Sequence, residues 1–287
     1  MEHLVLEIVP QFVGKKAQGL SMKTPLFTVH SIFEHSMNVF VNGYLLCITT
    51  KSLMRHPFSI IVERPCWNRS VNEGDSIYLR WNRAEFCPIS IEFKPVGSIQ
   101  WIPSIYEKNI CLLNRWLIEN THFSDQHGIK KGLYELAREA LNGGGNHFKS
   151  ISMIIGTGEG FTPSGDDILV GILSHIHLIS QRRLPSNEMR LIDLFVKTVK
   201  TSCPSLTHPV SASLISYAAD GDMLQLLREL NETILSGVIT PECLSGFLAI
   251  GHQSGREMVF GVYLASLFFK RIMREQERRG IPVELAR

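Results

Sequence analysis

The chain has 287 residues, 44% of them hydrophobic, and a formal net charge of +2. That is enough apolar material for one large globular domain or two modest ones. No Lys/Arg run exceeds two residues, which excludes the basic footprint that nucleic-acid or anionic-membrane binding usually needs and leaves small molecules or proteins as the expected partners.

The opening "MEHLVLEIVPQFVGKK" has an apolar stretch broken by Glu7 and Pro10, without a small-residue cleavage site, so it does not read as a signal peptide. The longest apolar run, Met258 to Phe269, is too short to span a bilayer. A cytoplasmic protein is expected. The six cysteines lie far apart with no CxxC pair, against both a zinc site and a disulfide framework.

Residues 1–104 read as a β-rich domain. In "MNVFVNGYLLCIT", Asn42-Gly43 separates two apolar, β-branched runs, and both turn positions of such a hairpin need positive φ. "FSIIVE", "SIYLRW" and "PISIEF" follow with turn residues between them, predicting an antiparallel sandwich or small barrel. "KPVGSIQWIPS", Lys94 to Ser104, is the expected boundary.

From 105 to 287 the period becomes helical, through "KNICLLNRWLIEN", "IKKGLYELAREALN", a helix opening at Ser164, "NEMRLIDLFVKTVKTS", "HPVSASLISYAAD", "DMLQLLRELNETILS" and a long last helix into "FKRIMREQERR". The fold class is therefore α+β, a β domain followed by a larger helical one.

"GTGEGFTPSGDDILVGI", Gly156 to Ile172, concentrates five glycines and two aspartates at one helix start. Ser164 is the expected N-cap, and Asp166 and Asp167 sit where the helix dipole favours negative charge. Ile168, Leu169, Ile172, Leu173 and Ile176 form one apolar face at helical spacing. Capping leaves Gly156, Gly158 and Gly160 unexplained, whereas a glycine-rich approach to a helix N-terminus lets several N–H groups converge on an anion. The sequence lacks the Gly-Lys-Ser/Thr of a P-loop. Carboxylates beside a bare anion repel it, so two readings stay open: a divalent metal such as Mg bridges Asp166 or Asp167 to the ligand, or the carboxylates accept bonds from ligand amide groups. The binding set is Gly156, Gly158, Gly160, Thr162, Ser164 and Gly165, with Asp166 and Asp167 as the catalytic pair.

About ninety residues later "SGREMVFG" (Ser254 to Gly261) repeats "SGDDILVG" (Ser164 to Gly171). The echo adds Ser254, Gly255 and Arg256 as candidates for the anion. Gly171 and Gly261 fall mid-helix, where glycine costs roughly 1 kcal/mol against alanine, which points to two helices crossing closely or to a ligand on bare backbone. His175 and His177 lie two apart on a helix and face different directions, against a shared metal. Gly143 to Gly145 read as a helix end. "THPVSAS", Thr207 to Ser213, reads as a helix start with Pro209 in the first turn, whose small hydroxyls are also suited to a polar pocket.

G-x-G-x-G-F-T-P-S-G-D-D before an apolar helix resembles the signature of the AllH family, associated with a subunit of oxamate carbamoyltransferase. The resemblance extends over most of the chain, including the β-rich part, "SASLISYAADG" and "GHQSGREMVFG". In the second element Arg256 and Glu257 replace the aspartate pair, so two equivalent sites do not follow. The resemblance implies carbamoyl transfer between oxalurate and phosphate, giving oxamate and carbamoyl phosphate in allantoin nitrogen catabolism. It also implies partner subunits, one of them similar to acyl-CoA synthetases. Two other roles compete: a non-catalytic scaffold or regulatory subunit, and a carboxylase- or ligase-type reaction on another ureide or carboxylate.

Overall fold

The computed structural model describes residues 4–23, 26–67, 70–81, 102–121, 127–141, 148–181 and 184–278. Internal contacts divide the chain into two units, Met1–Phe93 and Lys94–Arg287.

The described residues of the first unit form one curled, seven-stranded sheet with one α-helix and a short helical turn. Its elements are β1 (Leu4–Glu7), β2 (Pro10–Val13), α1 (Lys15–Lys23), β3 (Leu26–Ile32), β4 (Ser36–Val41), β5 (Tyr44–Thr49), β6 (Ser59–Val62) and β7 (Ser76–Arg80), in the sheet order β1-β7-β3-β4-β5-β6-β2. The Asn42-Gly43 hairpin forms as its sequence predicts: Asn42 has φ 51°, Gly43 has φ 80°, and Val41 pairs with Tyr44. Period-two alternation reports which face a residue takes but not the direction of its neighbour. The sheet is accordingly mixed rather than wholly antiparallel: β5 pairs parallel with β6, and β1 parallel with β7. Parallel neighbours need a crossover rather than a tight turn, and the β5–β6 link supplies one through the short helical turn Ser52–Met54. Phe27, Met37, Val39, Leu46, Ile48, Ile60 and Ile77 fill the concave face. "PISIEF" and the segment Lys94 to Trp101 lie outside the described residues.

The second unit is helical: α2 (Pro103–Asn120), α3 (His127–Leu141), α4 (Phe148–Ser152), α5 (Ser164–Ser180), α6 (Ser186–Leu206), α7 (Pro209–Ala219), α8 (Gln225–Ser236), α9 (Pro241–Ser245) and α10 (Ser254–Arg278). Gly143 to Gly145 are not among the described residues. No described helix is long and apolar enough to cross a membrane.

The organising element is α5. Buried residues run from Ser164 to Ile176 without a break, so the helix is enclosed all round rather than along the single apolar face its spacing predicts. Enclosure explains its two mid-length polar residues. His175 is fully buried, with Nδ1 2.7 Å from Asn231 Oδ1 and Nε2 3.1 Å from Tyr106 Oη, while Ser174 Oγ accepts from Asn231 Nδ2 at 3.1 Å. Buried polar groups are tolerated when bonded in this way. His177 points elsewhere, 2.8 Å from Gln181 Nε2.

The helix that crosses α5 is α10, and glycine sets the distance. A Cβ on Gly171 would lie 2.0 Å from the Met258 carbonyl oxygen, and one on Gly261 would lie 2.0 Å from that of Ile168 and 3.0 Å from Gly171 Cα. The two mid-helix glycines therefore answer to helix packing. At the second residue of each helix the relationship recurs with other partners: a Cβ on Gly165 would strike Ile154 O at 1.9 Å, and one on Gly255 would strike Phe247 O at 2.0 Å. The "SGxxxxxG" echo is thus two helix starts, each seated on the chain that precedes it and crossing the other at its second glycine.

Candidate functional site

The glycine-rich segment is the loop from α4 into α5. Gly156, Gly158 and Gly160 have φ of 71°, 120° and 103°, a region costly for residues with a Cβ. Two of them also carry close approaches, since a Cβ on Gly156 would meet Leu206 O at 2.3 Å and one on Gly158 would meet Ser164 N at 2.6 Å. The run that helix capping leaves unexplained thus has a packing cause at Gly156 and Gly158, and a conformational one at Gly160. Pro163, extended at ψ 143°, stands at the N-cap of α5, and Ser164 is the first helical residue. This corrects the expectation that Ser164 caps: its hydroxyl is directed sideways to Glu257 of α10 instead.

Asp166 is a tie-point. The Gly156 N–H donates to its Oδ1 at 2.8 Å, and the Thr207 hydroxyl donates to its Oδ2. Ser211, in the first turn of α7, also faces it. Burial raises the Asp166 pKa, and these donors oppose the rise. One carboxylate therefore joins the loop, the end of α6 and the start of α7.

Asp167 is 2% exposed and takes the other side. The Thr162 hydroxyl donates to its Oδ2 at 3.1 Å and lies 3.2 Å from Ser254 Oγ, and the Ser254 hydroxyl also bonds the carboxyl. Burial, assisted by the charges of Glu257 and Asp166, pushes its pKa up to about 7. Glu257, 7% exposed, is raised by burial as well, against the Ser164 bond. The two helix starts exchange hydroxyls: Ser164 of α5 serves the carboxyl of α10, and Ser254 of α10 serves that of α5.

The structure thus places these residues at the two helix starts in separate hydrogen-bonded groups: Asp167 with Thr162 and Ser254, Ser164 with Glu257, and Asp166 with Gly156, Thr207 and Ser211. Gly160 lies on the exposed part of the loop beside Phe161, whose ring meets His208 edge-on at 4.9 Å. Gly165 and Gly255 use their N–H groups inside the fold, on Thr157 O at 2.8 Å and Ile250 O at 3.1 Å. Arg256 turns away, its Nη1 donating to His252 O at 2.6 Å. Glu257 was not among the expected members, and Thr207 and Ser211 were expected only as part of a segment whose small hydroxyls suit a polar pocket. The signals were present: Glu257 is aligned with Asp167 in the echo, and Thr207 and Ser211 belong to "THPVSAS".

Among the described residues no three His, Cys, Asp or Glu side chains are placed to hold a metal ion. Both Asp166 oxygens already face an N–H or O–H donor. Two cavities, of about 320 Å³ and 480 Å³, open elsewhere, against the later turns of α5; the smaller is lined almost wholly by apolar side chains such as Leu133, Ile172 and Phe268.

Comparison with known proteins gives two matches. The family model of the oxamate carbamoyltransferase subunit AllH matches residues 154–266, and that of the AllH family N-terminal domain matches residues 10–98. No curated protein and no solved structure matches the chain. The first match begins at the loop and contains both helix starts, the second takes in nearly all of the sheet, and together they show that the chain belongs to the AllH family.

Proposed function

We propose that this chain works as a subunit of an oxamate carbamoyltransferase, in which the loop Gly156–Pro163 and the starts of α5 and α10 handle the carbamoyl substrate. The observation that carries the reading is Asp167: a buried carboxyl titrating near neutrality, linked through the half-buried hydroxyls of Thr162 and Ser254 to an exposed glycine loop. A general acid–base group is most effective with its pKa near the working pH, and Asp166, held by its own donors, supplies the contrast in environment that separates two neighbouring carboxyls into two roles.

The chemistry fits those parts. In the direction from oxalurate, a phosphate oxygen attacks the carbamoyl carbon, the C–N bond to oxamate breaks, and the departing nitrogen takes up a proton. Protonated Asp167 supplies that proton by way of Thr162 or Ser254 and recovers one from the attacking phosphate. The remaining contribution is orientation of the two anions and stabilisation of charge on the carbonyl oxygen. Partner subunits, including one similar to acyl-CoA synthetases, complete the enzyme in the cytoplasm.

A scaffold role is favoured by one feature: Asp166 directs both oxygens to donors of its own chain and so serves the fold. Differential scanning of the isolated chain with oxalurate, oxamate and carbamoyl phosphate separates the two. Stabilisation at millimolar ligand, lost in Asp167→Asn, is expected for the enzyme reading. If the reconstituted complex cleaves oxalurate with phosphate equally well without this chain, the enzyme reading fails.

A further inference from the structure

Helices that cross at one close point diverge beyond it, and past Gly171 and Gly261 the wedge between α5 and α10 is the smaller of the two cavities, about 320 Å³. Its walls begin at Ile172, the residue after Gly171, and at Leu264, one turn after Gly261; α6 and α3 close the other sides with Phe195 and Leu133. The volume lies within the range of small-molecule sites and far above the water-sized voids of an ordinary core. Water finds no polar partners in an apolar recess, so an apolar group is what fills it. The larger cavity, about 480 Å³, shares Ile176 and Ile192 but is also walled by Asp193, Lys197, Lys200 and Asp220, and suits water instead.

The apolar surface is recessed rather than displayed. Of the cavity's large apolar walls only Leu267, 39% exposed, stands open to solvent, while Ile172, Ile192 and Phe195 are buried. A protein partner needs a broad apolar patch; a recess walled by four helices fits a narrow chain. One charge borders it. On α10, Leu264, Phe268 and Arg271 follow at helical spacing along one stripe, so the apolar wall runs out onto a guanidinium. None of the cavity's described walls is acidic. Arg271 donates its Nε–H to Glu275 Oε1 at 3.1 Å, and its two Nη groups have no partner among the described residues. The two side chains are 44% and 41% exposed, and an ion pair so exposed is weak, leaving the guanidinium fork able to take a second carboxylate.

We infer that this cavity binds a small anionic amphiphile, of the class of medium-chain carboxylates, with its chain between α3, α5, α6 and α10 and its head on Arg271. The site is separate from the helix-start residues, since its walls lie along later turns of α5 and α10 and include none of the groups assigned to the carbamoyl substrate. It therefore stands independently of whether the chain acts in carbamoyl transfer.

Isothermal titration of the full chain with octanoate, and with octanol as its uncharged match, tests this. The wild-type chain is expected to take up one octanoate with a negative heat-capacity change, and octanol more weakly. Arg271→Gln is expected to weaken octanoate about tenfold and to leave octanol unchanged. Ala137→Trp, on the exposed side of α3 at the cavity, places an indole in the recess and is expected to abolish binding of both. In the methyl-labelled wild-type chain, nuclear Overhauser effects from the octanoate chain are expected on Leu133, Ile176 and Leu264, a readout that needs no variant to fold. Absence of saturable octanoate binding at millimolar concentration overturns the inference, as does binding left intact in an Ala137→Trp chain that is folded by circular dichroism. Equal effects of Arg271→Gln on octanoate and octanol overturn the anionic assignment, and Overhauser effects confined to other methyls overturn the site.

Discussion

Gly171 and Gly261 face each other where α5 and α10 cross, and a Cβ on Gly261 would stand 3.0 Å from the Gly171 Cα. Alanine gains about 1 kcal/mol over glycine in a helix interior, yet here each methyl would also enter a backbone carbonyl at 2.0 Å. Overpacking against backbone wins. Gly171→Ala and Gly261→Ala are each expected to destabilise by about 3 kcal/mol, read as a lower urea midpoint at unchanged slope. An increase in stability for either variant would show that the helices have room to separate.

Thr207→Val removes a donor from Asp166 at nearly constant volume. A buried carboxylate that loses a hydrogen bond is expected to cost about 2 kcal/mol at neutral pH. Because the Asp166 pKa then rises further, the cost shrinks as the solution is made acidic. Denaturation at two pH values checks both the size and the trend; an equal loss at both would assign the effect to packing alone.

For Asp167 the sign runs against the usual carboxylate. Its folded pKa of about 7 lies above the ordinary 3.8, so the folded state holds the proton more tightly. Its contribution to stability is fully present below about pH 3.8 and is lost as the pH rises through 7. At about 1.4 kcal/mol per unit, the loss is on the order of 4 kcal/mol. Asp167→Asn is therefore expected to flatten the fall in melting temperature between acid and mildly alkaline buffer; an unchanged slope would mean that Asp167 titrates normally.

Gly156→Ala combines a φ of 71° with a 2.3 Å approach to the Leu206 carbonyl, whereas Gly160→Ala meets only Thr162 O at an ordinary 3.6 Å, with a φ of 103°. Both are strained, but only the first also lacks space. Gly156→Ala is expected to cost at least about 2 kcal/mol more than Gly160→Ala. Ligand binding without large destabilisation should therefore be sought in the Gly160 variant, by scanning calorimetry with oxalurate.

The hairpin at Asn42-Gly43, the change from strand to helix period and the start of α7 at Pro209 were all legible because each depends on a local cause: positive φ, side-chain spacing, a fixed proline φ. Strand direction in the sheet was not, since β5 and β6 carry the same alternation in either orientation. At the site, Asp166 and Asp167 were legible as a pair at a helix start, and the two mid-helix glycines as a sign of close approach. Their distinct environments were not, because Thr207 and Ser254 reach them from 41 and 87 positions along the chain. The capping assignment failed at Ser164 for a related reason: a hydroxyl that caps locally in isolation finds a buried carboxyl on another helix once that helix is packed.

The two edges of the sheet bear on the first unit's behaviour as a folding object. β1 and β2 lie at opposite ends of the strand order yet are separated only by Ile8 and Val9. A single stretch of chain, with Ile8 turned inward and Val9 outward, hems both margins at once, Leu4–Glu7 along β7 and Pro10–Val13 along β6. Among the described strands the two margins are therefore tied by this leading thread rather than by pairing with each other. Cutting that thread between the two strands leaves each margin hemmed but unties the two, while removing it bares β7 and β6 together, two open ladders of the kind that recruit other chains.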